Sequence, residues 1–187
     1  MMVALLVLSL ASVASAAAAA APVEWSVVVS AATGECWDTR GLGYYKADQV
    51  DLYACDDDGD GHNERFRRDA STGLVHIGPG DQGPGVGSRS VAGYCLRGLT
   101  ASQAAAAGMY SSVQVPCNAS DTQQLFELVS GHTLRCSVNG APHCLTAGPP
   151  KPDTSLLLEP CAAGNKAQQW SFKPLSSSAP WPFAPPG

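Results

Sequence analysis

The chain has 187 residues, enough for one domain of ordinary size and some additional segments. Its formal net charge is -5, with 11 Lys and Arg against 16 Asp and Glu, and the basic side chains cluster only at residues 65–68. Because a nucleic-acid-binding protein needs a basic surface, this balance argues against a nucleic-acid partner.

The N-terminus is a nearly unbroken apolar run, rich in Leu and Val and then in Ala. Residues 14–16 form a small-x-small triplet that is typical of a cleavage site, so residues 1–22 are predicted to be a secretory signal peptide. No Lys or Arg precedes the apolar core, and an uncleaved anchor helix is the alternative. We therefore expect a secreted, extracellular protein.

The rest of the chain contains one unit three times. Each unit has a first Cys, a strand-like segment before a second Cys, a polar turn, and then Gln or Glu, one residue and an aromatic. The last parts of the units read CDDDGDGHNERF, CNASDTQQLF and CAAGNKAQQW, and they end at Phe66, Phe126 and Trp170. Short alternating segments between Gly, Pro, Asn and Asp predict an all-β fold built from three repeats, with one short helical stretch at residues 100–110.

Three such units in phase resemble the ricin B-type lectins, whose fold is a β-trefoil. The resemblance covers residues 23–173 and leaves residues 174–187 as a Pro/Ser-rich tail that we expect to be disordered. It implies a six-stranded barrel capped by three hairpins, with the motif aromatics in the core. It also implies three disulfide bonds, Cys36–Cys55, Cys95–Cys117 and Cys144–Cys161.

Seven cysteines leave one over, which is Cys136 if the implied pairs form. A buried Cys136 would be an inert small hydrophobic residue. An exposed one would join two chains in a disulfide-linked dimer. In the third alternative, Cys136 bonds to Cys144 or Cys161, and the implied Cys144–Cys161 bond does not form.

The family binds sugars through three positions in each competent repeat, and the first repeat has all three. The Asp two residues after the first Cys is Asp38, the aromatic two residues before the second Cys is Tyr53, and the Asn before the motif Gln is Asn63. Glu64 replaces the usual Gln. The equivalent residues are Arg97, Val115 and Gln123 in the second repeat and Thr146, Glu159 and Ala167 in the third.

The chemistry of these residues suits a sugar. A carboxylate accepts charge-assisted hydrogen bonds from hydroxyl groups, a tyrosine ring packs on the apolar face of a pyranose, and an Asn both donates and accepts. We predict a lectin that binds galactose-like glycans or glycoproteins through its first repeat, and that meets membranes only through surface glycans. The alternative is a protein-binding or inhibitory trefoil scaffold without a sugar site.

The acidic turn DDDGDG after Cys55 matches the opening of an EF-hand loop. The twelfth position of that loop, which needs a bidentate Glu, is Arg67, and strand-like segments flank the turn. We expect no metal and no cofactor, with a loose Ca²⁺ site in this turn as the alternative. The sequence has no catalytic motif that would indicate an enzyme. Asn118 begins the sequon NAS, which predicts N-glycosylation.

Overall fold

The computed structural model describes residues 25–39, 49–55, 64–78, 93–130, 132–149 and 154–175. The predicted signal peptide, the acidic turn at residues 56–61, Asn63 and residues 176–187 of the predicted tail lie outside these segments. The other predicted site residues and all seven cysteines lie inside them.

Twelve strands occur in the described segments, and they fall into three groups of four. The first repeat contains β1 Ser26–Ser30, β2 Cys36–Thr39, β3 Gln49–Tyr53 and β4 Phe66–Arg68. The second contains β5 Val75–Ile77, β6 Tyr94–Arg97, β7 Ser112–Pro116 and β8 Glu127–Val129. The third contains β9 Thr133–Val138, β10 Ala141–Ala147, β11 Thr154–Pro160 and β12 Trp170–Pro174. The predicted all-β fold of three repeats is confirmed.

Antiparallel pairing closes the strands into a barrel. From β1 the hydrogen-bonded neighbours run through β4, β5, β6, β7, β3 and β2 and return to β1. The remaining strands continue outward, with β11, β10, β9 and β8 beyond β3, and β12 beside β1. This circuit has seven strands where the resemblance implied six, and its combination of a closed barrel with outer strands agrees with the β-trefoil prediction.

The aromatic residues of the three motifs meet in one core. Phe66, Phe126 and Trp170 are fully buried, and Trp37 of β2 joins them. The ring centroid of Trp37 lies 5.2 Å from those of Phe66 and Trp170, in edge-to-face geometry. The core position that the resemblance implied for the motif aromatics is therefore confirmed.

Each repeat is closed by one disulfide bond. The bonds join Cys36 to Cys55, Cys95 to Cys117 and Cys144 to Cys161, over sequence separations of 19, 22 and 17 residues. By the chain-entropy estimate, a loop of this length stabilises the fold by about 3 kcal/mol. Cys136 is free and buried in the core. Its alternative bond to Cys144 or Cys161 is wrong, because these two cysteines are bonded to each other.

A helix α1, Ala101–Ala106, forms in the predicted helical stretch. Thr100 caps it, accepting from the backbone N–H of Gln103 while the Gln103 side chain accepts from the backbone N–H of Thr100. A short 3₁₀ helix spans Lys166–Gln168. Within the described segments, neither helix has the length and hydropathy that crossing a bilayer requires. At the C-terminus, β12 extends one residue past the predicted domain end, and the N–H of Leu175 donates to the Trp25 carbonyl at 2.9 Å.

Candidate sugar-binding site in the first repeat

The predicted acid and aromatic of the first repeat lie on the adjacent strands β2 and β3. The register places Cys36 opposite Tyr53 and Asp38 opposite Asp51. Because successive side chains of a strand point to opposite faces, these four residues share the outer face, while the residues between them point into the core. The ladder thus brings Asp38 and Tyr53 onto one surface next to the Cys36–Cys55 bond.

The three polar and aromatic side chains of this surface differ in exposure. Tyr53 is 50% exposed, which offers its ring to a ligand. Asp38 retains 8% of its surface, and Asp51 retains none. Tyr53 is therefore the most accessible of the three side chains and Asp38 keeps a small exposed part, whereas Asp51 has no surface that a ligand could touch.

Glu64 occupies the motif position whose role is visible in the other two repeats. In the third repeat, Gln168 Oε1 accepts from the Ala162 N–H at 2.8 Å and Nε2 donates to Thr146 Oγ1 at 3.0 Å. In the second, Gln124 Oε1 accepts from the Asn118 N–H at 2.9 Å. The motif Gln therefore fastens the turn after the second Cys. Glu64 is only 3% exposed, and this burial favours a positioning role over direct contact with a sugar.

The second repeat fills the equivalent surface with its own side chains. Arg97 replaces the acid, and its Nε donates to Asp121 Oδ2 at 2.8 Å while Nη2 donates to Gln123 Oε1 at 3.1 Å. Gln123 also donates to Gln103 of α1 at 2.9 Å. These internal bonds use the donors and acceptors that a sugar would need, and Val115 stands where Tyr53 stands in the first repeat.

Electrostatics agree with a closed network in the second repeat. Burial would raise the pKa of Asp121, but hydrogen bonds from the Gln123 N–H and from Arg97 outweigh it and lower that pKa below 3.8. Asp121 is therefore ionised and paired at neutral pH, and it is committed to Arg97.

The third repeat lacks both the acid and the aromatic. The hydroxyl of Thr146 donates to the Cys144 carbonyl at 2.9 Å and accepts from Gln168, so it is fully engaged. Glu159 is exposed where Tyr53 stands in the first repeat. Neither residue provides an aromatic ring on which a sugar could stack.

Two residues of the first-repeat surface were missed by the sequence prediction, namely Asp51 and Tyr110. Asp51 had a signal, because Gln49, Asp51 and Tyr53 alternate along β3 and must share a face. Tyr110 had none, because it lies 59 residues away in the chain and reaches Asp51 only in the folded protein, where its OH donates to Asp51 Oδ2 at 2.9 Å.

His76, Cys95 and Cys117 form the one group of metal-ligating side chains that lies close together in the described part of the chain. Nδ1 of His76 is 3.7 Å from each sulfur. The two sulfurs are bonded to each other, so neither is a thiolate that could bind a metal. Burial lowers the pKa of His76, with the nearby charge of Arg67 adding to the effect, so this imidazole is a neutral neighbour of the disulfide at physiological pH.

The fold and its three disulfide-closed repeats define the class of the protein as a β-trefoil. The family model for the ricin-type beta-trefoil lectin domain matches residues 87–179, a stretch that contains β6 to β12. The chain therefore carries a ricin B-type lectin domain, and the resemblance seen in the sequence is confirmed. A search of curated proteins finds no match.

Solved structures with the same fold are similar to most of this chain at low identity. The C-half of the earthworm R-type lectin in complex with GalNAc is 11% identical, with a TM-score of 0.56, over 81% of this chain and 98% of that one. A non-toxic homologue of type II RIPs from bitter gourd, in complex with α-methyl-D-galactoside, is 12% identical, with a TM-score of 0.53, over 80% of this chain and 47% of that one. GalNAc-T7 with UDP, GalNAc and Mn²⁺ is 15% identical, with a TM-score of 0.52, over 81% of this chain and 22% of that one. At these identities the similarity establishes the fold.

Proposed function

We propose that this protein is a secreted lectin that binds galactose-like glycans through its first repeat. Asp38 would accept hydrogen bonds from sugar hydroxyls, Tyr53 would stack on the pyranose, and Asn63 would complete the polar contacts. Glu64, which is buried, would position the neighbouring Asn63. The galactose-like preference follows the family expectation and agrees with the galactoside in the bitter gourd complex.

One observation carries the proposal: among three equivalent surfaces, only the first pairs an acid with an exposed aromatic. The second repeat has its Arg97 bonded to Asp121 and Gln123, and the third has its Thr146 bonded to Gln168. The three surfaces are equivalent because strand pairing is in the same register in each repeat. Asp38, Arg97 and Thr146 are each paired with the residue four before the second Cys of their repeat.

A binding role also fits the surface better than catalysis does. Hydrolysis of a glycosidic bond needs two carboxyl groups that flank the bond. Asp38 and Asp51 lie opposite each other on neighbouring strands, but Asp51 has no exposed surface and cannot reach a substrate.

The predicted signal peptide and two structural observations support the proposal that the protein is secreted and glycosylated. The predicted signal peptide precedes the domain, three disulfide bonds close the repeats, and disulfides persist in oxidising compartments. Asn118 of the sequon is exposed, and its Oδ1 accepts from the Ser120 N–H at 2.9 Å in a surface turn. An enzyme that attaches a glycan can reach this side chain.

The test is a glycan array on the purified chain, followed by site variants. Specific galactose-terminated hits support the lectin, and Tyr53→Ala and Asp38→Asn should each abolish them while the melting temperature stays close to that of the parent. Millimolar binding is only about 4 kcal/mol, so the loss of one contact is enough. Glu159→Ala, which removes the exposed residue at the Tyr53 position of the third repeat, is the matched control and should bind like the parent.

An empty array would overturn the lectin and favour the protein-binding scaffold. An Asp38→Asn variant that binds like the parent would show that the sugar lies elsewhere. The array should give the same hits with EDTA, because the acidic sequence after Cys55 has Arg67 where an EF-hand loop needs a bidentate Glu. A loss in EDTA that Ca²⁺ restores would assign a role to the acidic turn.

A further inference from the structure

Tyr110 is fixed at both of its ends by the outer face of β3. Gln49 Oε1 accepts from the backbone N–H groups of Tyr110 and Ser111, at 2.9 and 3.2 Å. Asp51 Oδ2 accepts from the Tyr110 OH at 2.9 Å. Gln49 and Asp51 are two residues apart, about 7 Å along a strand. The ring of Tyr110 therefore lies along β3, with its hydroxyl end directed at Asp51.

The segment that presents Tyr110 follows α1 in the second repeat and is itself anchored. Gly108, with a φ of 69°, turns the chain at the end of α1, and the N–H of Met109 donates back to the Ala104 carbonyl at 2.8 Å. Ala104 is buried in a small apolar cluster, and Met109 packs against that cluster. The segment after α1 thus brings an anchored aromatic side chain to the surface of the first repeat.

The exposed aromatic surface is concentrated at this place. In the described part of the chain, Tyr53 at 50% and Tyr110 at 41% are the two large hydrophobic side chains that are exposed. Both adjoin Asp51, since Tyr53 follows it by two residues on the same face and the Tyr110 OH is bonded to it. Because the polar end of Tyr110 is already engaged by Asp51, the part that it offers to a ligand is its ring.

We propose that Tyr110 is a second aromatic contact of the first-repeat site, and that the ligand is an oligosaccharide with one sugar on Tyr53 and the next on Tyr110. This inference rests on the proposed lectin function. A single pyranose stacks on one ring, so two rings that are held apart along one strand fit two successive sugars. Asp51, which is fully buried, is the positioning residue that holds Tyr110 in place.

The experiment compares galactose with lactose on the disulfide-intact chain, with affinities from NMR titration. The parent should prefer lactose. Tyr110→Ala should reduce the ratio of lactose affinity to galactose affinity about fivefold, which corresponds to about 1 kcal/mol. Tyr110→Phe retains the ring and should keep most of that ratio. Tyr94→Ala, which removes a partly exposed tyrosine from β6, is the control and should match the parent for both sugars.

The outcomes separate this inference from the function on which it rests. A parent that binds neither sugar overturns both. A parent that binds galactose and lactose equally, or a Tyr110→Ala variant with an unchanged ratio while Tyr53→Ala abolishes binding, overturns the two-sugar site and leaves the lectin standing. A melting curve for each variant shows whether the fold is intact. If Tyr110→Phe reduces the ratio of lactose affinity to galactose affinity as much as Tyr110→Ala does, the ring is not the contact.

Discussion

Cys136 is expected to be unreactive in the folded protein and reactive once the chain unfolds. Burial raises the pKa of its thiol from 9.0 to about 12, and the negative charge of Asp121 adds to the effect. The thiolate is the species that reacts with Ellman's reagent. At pH 8 about one thiol in ten is ionised at a pKa of 9.0, but only about one in ten thousand at a pKa of about 12.

Ionisation alone should therefore slow native labelling about 1000-fold relative to the unfolded chain, and the 5% exposure of Cys136 slows it further. The assay measures the reaction of free thiols with Ellman's reagent at pH 8 without reductant, first in buffer and then in guanidinium. We expect no fast labelling in buffer and one thiol per chain after unfolding. Cys136→Ala should show no reactive thiol in either condition, because the other six cysteines are in disulfide bonds.

Labelling of the native chain at the rate of the unfolded one would refute this reasoning. An unfolded chain without any thiol, together with a dimer on a non-reducing gel that Cys136→Ala removes, would instead establish the disulfide-linked dimer. That dimer stays an untested hypothesis, and the burial of Cys136 favours the inert monomeric thiol. Ala is preferred to Ser as the replacement, because a buried hydroxyl without a partner would itself destabilise the core.

Two further predictions concern the second repeat. Asp121→Asn should lower the free energy of unfolding by about 1 kcal/mol at pH 7, because it weakens the pair with Arg97. The folded pKa of Asp121 is below 3.8, so the stability difference between parent and variant should be present above pH 3.8 and vanish as the pH falls through the folded pKa. The control Glu127→Gln, at the exposed pair with Arg135, should change the free energy of unfolding little. A parent whose advantage survives at the lowest pH would contradict this assignment. Protein secreted from eukaryotic cells should shift on a gel after enzymatic removal of N-glycans, and Asn118→Gln should remove the shift; a shift that persists in Asn118→Gln would place the glycan elsewhere.

Much of the fold was predictable because it depends on periodic features of the chain. Three motif aromatics in phase indicate a shared core, and Phe66, Phe126 and Trp170 meet there. The fate of Cys136 was left open, although Leu134, Cys136 and Val138 alternate along β9 and are all buried. Period two alone would have placed Cys136 in the core.

The parts of the site that escaped prediction depend on contacts between repeats. The bond from Tyr110 to Asp51 joins residues of different repeats, and no local pattern in the chain contains it. The hydrogen bonds between Gln103 of α1 and Gln123 lie within the second repeat, but they join residues 20 apart in the chain and no local pattern contains them either. The connection between β6 and β7, which carries α1 and Tyr110, makes both sets of contacts, so comparing the repeats with one another does not predict them.

The comparison of the three repeats shows how the two surfaces outside the proposed sugar site satisfy their polar groups. A buried polar group must have partners, and an unsatisfied one costs about 1–3 kcal/mol. The second repeat satisfies this requirement with Arg97 between Asp121 and Gln123, and the third with Thr146 between Cys144 and Gln168. Such surfaces are stable without a ligand, but they offer little to one. The first repeat instead exposes the rings of Tyr53 and Tyr110 on the surface that carries Asp38 and Asp51, and these rings are what the proposed sugar site would use.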